Sequence, residues 1–596
     1  MLNSILSKLV IFIFLTFFIT CENAAAEISA PILKWQYGGC YSSWCEKGWY
    51  SSPAVADLDN DGAAEVIGSA YSVVVLNGAT GDLKWRVKSG HDRSESNVDN
   101  VGRTWPGVVT ADVDGDGDLE IITAHGAGYV SVYDQNGYFC SGWPKHPVSN
   151  ELRSLAVYDL DSDGDMEIIV GSARGANHNN IYIYEHNGVL RSGWPQLSSG
   201  CCAYGLYNDN LTIGDIDGDG KGEIVAPSDV HYICAFKDDG TRIPAHNMYG
   251  GKVWGEVGVW VDLEAELRGW GYCGTEHRPN FCHCPAAIGD VNGDGTQEIV
   301  AIGNVHNCAT SPYSNLYHGP YIFNKDRSRF KASGFDWETV PINVGAPVCE
   351  SYGIIESCMP NPVLADMDSD GFKEILFSSN DGKVHCFWLD QTEHHNWPYS
   401  VYSSSEGVYR FASEPVIADL DNDGFPEVIF ASWVEKGSNL SGNLFILNYQ
   451  GNVLQKIDIP LAYSASKSWN GAPAAPTLAN IDGDPDLELV LNTAHSGFVA
   501  FDLPNTANAK IFWGTGRGNY QRTGSNPAQT NPICPADFNK DGDVDGSDLA
   551  VFAADFGRTN CDTPPPCEGD FDGDNDVDGS DLAVFAADFG RTDCPH

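Results

Sequence analysis

The decapeptide "DIDGDGKGEI" at residues 215–224 recurs along the chain with little change. Near copies read "DLDNDGAAEV" (57–66), "DVDGDGDLEI" (112–121), "DLDSDGDMEI" (159–168), "DVNGDGTQEI" (290–299), "DMDSDGFKEI" (366–375) and "DLDNDGFPEV" (419–428). A worn copy, "NIDGDPDLEL", occupies 480–489. The eight starts lie about 60 residues apart on average, the spacing of units that fold as small sheets and bury their faces against neighbours. Each copy is led by an apolar stretch ("SPAVADLD", "EPVIADLD") and followed by a β-rich one ("EIITAHG", "EIIVGSA"). An alternating strand ("YVSVYD", "LFILNYQG"), a glycine-containing turn and often a tryptophan complete the unit. Four short strands per repeat with no helical period predict an all-β propeller of four-stranded blades rather than a solenoid.

The motif D-x-D-x-D-G-x-x-E has a chemical reason. Oxygens at alternating positions of a tight loop converge on one point, and glycine at position 6 permits the turn. A backbone carbonyl at position 7 (Lys221 in the copy at 215) and the glutamate at 9 complete an all-oxygen shell suited to calcium. The predicted side-chain ligands are Asp57, Asp59, Asp61 and Glu65; Asp112, Asp114, Asp116 and Glu120; Asp159, Asp161, Asp163 and Glu167; and Asp215, Asp217, Asp219 and Glu223. Further along they are Asp290, Asn292, Asp294 and Glu298; Asp366, Asp368, Asp370 and Glu374; Asp419, Asp421, Asp423 and Glu427; and Asp482, Asp484 and Glu488. The last copy has Asn480 at position 1 and Pro485 where the turn needs glycine, so its site is expected to bind poorly.

After the linker "SNPAQTNP" the pattern changes. "DFNKDGDVDGSD" (537–548) and "DFDGDNDVDGSD" (570–581) fit a 12-position calcium loop. Their oxygens come from Asp537, Asn539, Asp541, Asp543, Asp545 and Asp548, and from Asp570, Asp572, Asp574, Asp576, Asp578 and Asp581. A helix is predicted after each, with Leu549, Phe552, Ala553 and Phe556 on one face of the first. Residues 543–559 and 576–592 are identical. The two tail loops and the propeller loops together hold 41 of the 81 acidic residues, and up to about ten calcium ions are expected. Chelation is then expected to lower the melting temperature.

These repeats resemble the FG-GAP/VCBS calcium repeats of integrin α-like propellers, over roughly residues 31–525. The resemblance implies radial blades with calcium loops between the first two strands of each. Eight copies suggest eight blades, although seven is the commoner count among relatives. "PILKWQYGG" (31–39) reads as a fourth strand that closes the ring on the last repeat. The tail resembles a type I dockerin, a small α domain of paired EF-hand-like loops. That resemblance implies a cohesin-like partner contacted through Ser547, Leu549, Ser580 and Leu582.

The formal charge of −47, from 34 basic and 81 acidic residues, argues against nucleic acid and anionic membranes as partners. Lys8 and the apolar run 9–20, with an A-x-A site after Ala26, read as an export signal over 1–26, and no later segment is predicted to span a membrane. The domain reading is a propeller over 27–525, a linker over 526–534 and the tail domain over 535–596. Of the 18 cysteines, 17 remain after that cleavage, and in an exported chain they are read first as disulfides, with Cys534–Cys561 and Cys567–Cys594 flanking the tail repeats. Adjacent Cys201 and Cys202 are left either as a vicinal pair or with separate partners.

The intervals 215–290 and 290–366 are the longest. The first carries Trp254, Trp260 and Trp270, for which sugar stacking is one reading, and Glu264, Glu266 and His277 as acid–base candidates. An ordinary solvated insertion is the alternative. Cys273, His277, Cys282, His283 and Cys284 are either disulfide cysteines or a zinc site. Trp85, Trp143, Trp194, Trp397 and Trp513, at repeated positions, are read as inter-blade core. No nucleophile elbow, zinc-protease helix or phosphate loop is present. The expected function is a secreted calcium-binding module for a glycan or protein, tethered through its tail to a scaffold or cell surface. The alternative is a polysaccharide lyase or glycoside hydrolase, and a structural surface component is the third reading.

Overall fold

The computed structural model describes residues 28–525 apart from 39, 42–43, 46–47, 174–178, 197–204, 311–313, 343–344 and 465–467. In the tail it describes 536, 538, 544, 546–559, 561, 567, 569, 577, 581–582, 585 and 589. The export signal, Cys201, Cys202 and the linker fall outside the described residues.

The chain forms an all-β propeller of eight blades. Blade 1 runs outward as Ala54–Ala56, Glu65–Ser69, Ser72–Asn77 and Leu83–Lys88, all antiparallel. The first strands of blades 2 to 8 are Val109–Ala111, Leu152–Tyr158, Thr212–Gly214, Ala286–Gly289, Val363–Ala365, Val416–Asp419 and Thr477–Ala479. Second strands such as Glu167–Ser172 are buried at every position, because neighbouring blades cover both faces of the sheet. That is why they read as continuous apolar runs rather than as alternation.

The ring closes as expected. Ile32–Tyr37 adds antiparallel to Phe498–Leu503 as the fourth strand of blade 8, with Tyr37 opposite Phe498 and Ile32 opposite Asp502. Four regular strands are not reached everywhere. In blades 2 and 3 the outer position is held by isolated bridges, Val130 to Lys145 and Tyr133 to Phe139 in one and Ile181 to Gln196 and Tyr184 to Leu190 in the other. Pro144 and Pro195 stand beside the bridges at Lys145 and Gln196 and lack the N–H that a ladder needs.

Among the described residues, one tryptophan in every blade except blade 7 fixes the angle to the next. The indole N–H donates to a backbone carbonyl of the following blade from Trp35 (to Gly78, 2.7 Å), Trp85 (to Gln135, 2.9 Å), Trp143 (to His186, 2.8 Å) and Trp194 (to Asp238, 3.0 Å). Trp254 (to Lys325, 3.1 Å), Trp337 (to Leu389, 3.0 Å) and Trp397 (to Tyr449, 2.8 Å) continue the series. Trp254 thus belongs to the blade frame and not to a sugar-stacking set. Trp513 is buried but outside the series, donating to Glu414 at 3.0 Å.

The axis is filled by the chain itself. Lys510–Trp513 pairs with the first strand of blade 7, and residues 514–525 then cross the centre. Backbone N–H groups of Leu478, Val157, Ile213 and Ile288 donate to the carbonyls of Gly514, Gln521, Thr523 and Gly524 at 2.8–3.0 Å. Arg522, fully buried, donates to the carbonyls of Val108, Ser52, Pro53 and Gly516. Arg517 donates to Thr212 Oγ1 and to the Ala286 carbonyl. This plug satisfies the inner strand edges that a ring of blades would otherwise leave open.

Candidate metal centres in the blade loops

Each acidic decapeptide joins the first and second strands of its blade, so all eight loops lie at the same end of the ring. The loop at 215 shows the construction. Asp215 Oδ1 accepts from the N–H groups of Gly218 (2.7 Å) and Asp219 (3.2 Å), and its Oδ2 from Gly220 (2.9 Å). Asp219 Oδ1 accepts from Lys221 N–H at 3.0 Å. Gly220 has φ 84° with open space where a Cβ would stand, so strain and not crowding selects glycine there. Position 4 is also left-handed, at φ 54–60° in Asn60, Ser162, Ser369 and Asn422 and at φ 71–80° in the four glycine copies. The residues found there, Asn, Ser and Gly, include the two that most readily accept that region.

The glutamate at position 9 is pinned in every copy. One oxygen of Glu65, Glu120, Glu167, Glu223, Glu298, Glu374, Glu427 and Glu488 accepts the N–H of the residue at position 2, at 2.7–3.1 Å. Its other oxygen is then held toward the aspartates. Three carboxylate oxygens lie within 4.8 Å of one another in the sets Asp57/Asp59/Asp61, Asp112/Asp114/Glu120, Asp159/Asp161/Glu167, Asp215/Asp217/Glu223 and Asp366/Asp368/Glu374.

Two observations test whether a cation fits. Asp368 Oδ1, Glu374 Oε1 and Asp421 Oδ1 are buried without any hydrogen-bond partner. An oxygen so placed costs about 1–3 kcal/mol unless something else satisfies it. Burial, with the neighbouring aspartates adding to it, pushes the Glu374 carboxyl up to about 9 and that of Glu427 to about 8. Glu120, Glu223 and Glu298 are raised to about 7 for the same reasons. An all-oxygen, acceptor-only set of this kind fits a hard divalent cation.

The loops are not equivalent. In blade 4, Lys237 Nζ stands 3.0 Å from Asp217 Oδ2 and 3.1 Å from Asp219 Oδ2. In blade 1, Lys84 Nζ lies 3.0 Å from Asp59 and 2.5 Å from Glu65, and in blade 3 Arg191 reaches Asp161 (2.8 Å) and Glu167 (3.1 Å). In blade 8, Lys34 of the closing strand pairs with Asp482 and with Glu488. The worn copy therefore carries a cation of its own beside its missing glycine. Among the described residues no lysine or arginine forms an ion pair with the loop carboxylates of blades 2, 5, 6 and 7.

The tail loops lie largely outside the described residues: Asp537, Asn539, Asp541, Asp543, Asp545, Asp570, Asp572, Asp574, Asp576, Asp578 and Ser580 are all there. Of the predicted ligands, Asp548 and Asp581 are described, both fully buried, and Asp548 Oδ1 accepts from Phe538 N–H at 2.9 Å. A helix spans Gly546–Asp555. Its predicted apolar face is corrected: Phe552 is buried against Phe585, while Leu549, Ala553 and Phe556 are exposed. The core of so small a unit has room for one large side chain per helix. The cysteine pairing is corrected too. Cys561 is bonded to Cys567, their Cα atoms 5.0 Å apart, so the bridge staples the segment "CDTPPPC" between the repeats.

In the first long insertion the acid–base candidates have different surroundings. Glu266 is fully buried between Arg327 and Arg329, with Arg329 Nη2 at 2.6 Å; burial alone would raise its carboxyl, but the two guanidinium groups hold it below the usual range. It ties the short helix Leu263–Arg268 to blade 5. Glu264 is solvent-exposed, and His277 accepts from Val261 N–H through its backbone carbonyl. Trp260 is buried and Trp270 exposed, packed edge-on to Tyr272. Cys273 is bonded to Cys308, while Cys282 and Cys284 are free thiols, so the five-residue zinc set is not assembled.

Comparison with family models matches FG-GAP-like repeats at residues 112–170, 159–226 and 366–430. No curated protein matches the sequence. Among solved structures, the V. cholerae biofilm matrix protein Bap1 is 14% identical, covering 84% of this chain and 97% of that one, with a TM-score of 0.36. The exotype rhamnogalacturonan lyase YesX is 15% identical over 79% and 75% of the two chains, with a TM-score of 0.42. The Bacillus licheniformis rhamnogalacturonan lyase PL11 is 14% identical over 80% and 75%, at 0.41. At these scores the neighbours carry no functional argument. The chain carries FG-GAP-like repeats arranged as an eight-bladed β-propeller.

Proposed function

We propose that the protein is a secreted binding module whose propeller is stabilised by calcium in its blade loops and takes a glycan as ligand. Its tail would attach it to a cohesin-like module of a scaffold or cell surface. The calcium reading is carried by one observation: buried carboxylate oxygens of Asp368, Glu374 and Asp421 that face their loop with no partner. Bound calcium would supply the positive charge those oxygens need, while the chain holds them in place through the N–H bonds to position 9. Among the described residues no helix is long and apolar enough to cross a membrane, and Cys273–Cys308 and Cys561–Cys567 suit an oxidising compartment.

Tethering is supported by a repeated feature of the tail. Leu549 and Leu582 are 41% and 42% exposed, and Phe556 and Phe589 are both 50% exposed. The two copies therefore present the same apolar pair to solvent, where a partner could cover it. The test has two arms. A polysaccharide panel in calcium, read for retention and for new chain ends, separates a binder from an enzyme: retention without cleavage supports the proposal, and cleavage replaces it with the lyase or hydrolase reading. Capture by immobilised cohesin modules, lost in L549A/L582A, supports the tether; no capture by any removes it.

A further inference from the structure

The two longest intervals between motif copies meet at one place. Arg278–Asn280, from the first, adds antiparallel to the second strand of blade 5, Glu298–Asn307, with Asn280 opposite Asn304 and Arg278 opposite His306. The Cys273–Cys308 disulfide fastens the same insertion just past the end of that strand. Residues 350–360, from the second interval, lead into the first strand of blade 6. Between these segments, at the end of the ring opposite the acidic loops, lies a hollow of about 330 Å³ lined from blades 4, 5 and 6. Its volume is that of a small-ligand site, and long insertions on a rigid frame are where binding residues gather.

The wall is rich in amides that are not spent on one another. Asn304, His306 and Asn315 are half-buried, and each has a buried polar atom (Oδ1, Nδ1 and Oδ1) with no hydrogen-bond partner. Asp229 lines the same hollow and accepts from Asn280 Nδ2 at 2.9 Å. Hydroxyl groups, which both donate and accept, complement such a set. His283 has φ 68°, a region that a non-glycine residue keeps only where its surroundings hold it. Its ring is fixed by Asn208 on one nitrogen and by the Tyr352 hydroxyl, 3.2 Å away, on the other. Tyr352 is thus anchored by its tip at the edge of the hollow while remaining 54% exposed. Charge narrows the ligand further. No lysine or arginine lines the hollow among the described residues. Burial lowers His283 to about 3 and His318 to about 4 and brings His306 below its ordinary value, so these imidazoles are uncharged at neutral pH. An anionic sugar would meet the carboxyls of Asp229 and Glu350 and no cation.

We propose that this hollow binds a neutral sugar residue, its ring stacked on Tyr352 and its hydroxyls bonded to Asp229, Asn304 and Asn315. The proposal rests on the glycan-binding reading and gives that reading a place and a ligand class. It sets the binding end apart from the metal loops, so calcium acts on it through the rigidity of the ring.

The test uses the full calcium-loaded chain. Cellotriose, maltotriose, mannotriose and xylotriose are titrated calorimetrically, with trigalacturonate as the acidic counterpart. At least one neutral trisaccharide is expected to bind more tightly than trigalacturonate. Tyr352→Ala should weaken it about tenfold, the scale of one aromatic contact, and Asn304→Ala about fivefold, that of one hydrogen bond, both at an unchanged melting temperature. Trp270→Ala, an exposed tryptophan of the first insertion that does not line the hollow, should bind as the parent does. Neutral binding that survives both substitutions, or that is lost in Trp270→Ala, overturns the site but keeps the glycan-binding reading. Tighter binding of trigalacturonate than of every neutral sugar overturns the ligand class. No saccharide bound by the parent removes the glycan-binding reading and the proposal with it. If a variant melts early, the parent supplies the readout. Cys282, a free thiol in the lining, should be alkylated several-fold more slowly under saturating neutral sugar, as read by peptide mapping, while the free, half-buried Cys140 of blade 2 should react unchanged. An unaltered Cys282 rate counts against the proposal.

Discussion

Lys237 stands between Asp217 and Asp219, its ammonium 3.0 and 3.1 Å from their carboxylates, in the loop that opens its own blade. The chain thus offers its own monovalent cation where the motif is built for a divalent one. Removing the lysine should free the loop. Lys237→Ala is expected to tighten calcium at that loop by about 1 kcal/mol, or roughly fivefold, the scale of a partly exposed ion pair. Calorimetric titration of the variant against the parent reads this directly, and an unchanged isotherm would show that the lysine does not compete.

Glu374 makes a sharper case because its sign changes with the metal. With calcium, Glu374→Gln removes one ligand charge and should lower the melting temperature by several degrees. In chelator above pH 7 the same change should be neutral or stabilising. The native carboxylate is there costly, as burial pushes its ionisation up to about 9. Thermal melts with and without chelator test the reversal.

The raised glutamates also set a pH dependence. In the metal-free protein, Glu120, Glu223 and Glu298 ionise near 7, Glu427 near 8 and Glu374 near 9, against about 4.5 when unfolded. The folded state then binds more protons than the unfolded one between pH 4.5 and 9, so stability falls as pH rises through that window. Chelated protein should melt higher at pH 5 than at pH 8. Calcium-loaded protein should do the opposite, since protons compete for its ligands.

Trp194 tests the blade frame. Trp194→Phe removes the 3.0 Å bond to the Asp238 carbonyl but keeps most of the packing, and should cost about 1 kcal/mol. Trp194→Ala should cost about 3–5 kcal/mol, because a cavity is added. Chemical denaturation separates the two, and equal losses would mean that packing alone matters.

The plug should matter more than any one blade contact. Arg522→Ala strips donors from the carbonyls of Val108, Ser52, Pro53 and Gly516, all at the centre of the ring. Each buried carbonyl left unmet costs about 1–3 kcal/mol, so the variant should melt well below the parent. A melt within a degree of the parent would show that water takes the arginine's place.

The local chemistry was legible in the residues themselves. A pattern of acidic oxygens, a left-handed glycine and a following apolar run, repeated eight times, can be met by few backbones, so strand type followed from spacing, and the eight copies pointed to eight blades with seven left open. Ring closure by "PILKWQYGG" was readable because its Lys-Trp pair matches "DLKWRV" of blade 1. What the sequence could not assign were relations between distant segments. Trp254 reads like part of an insertion until its indole is seen on the Lys325 carbonyl, and Glu266 reads like an acid until two buried arginines enclose it. Cys561 joins Cys567 and not a residue 27 positions away, a pairing that matching flanks could not indicate. The plug, and the indoles set on neighbouring carbonyls, arise only once eight blades share an axis. Such contacts depend on where the ring places each strand's end, and no local spacing encodes that position.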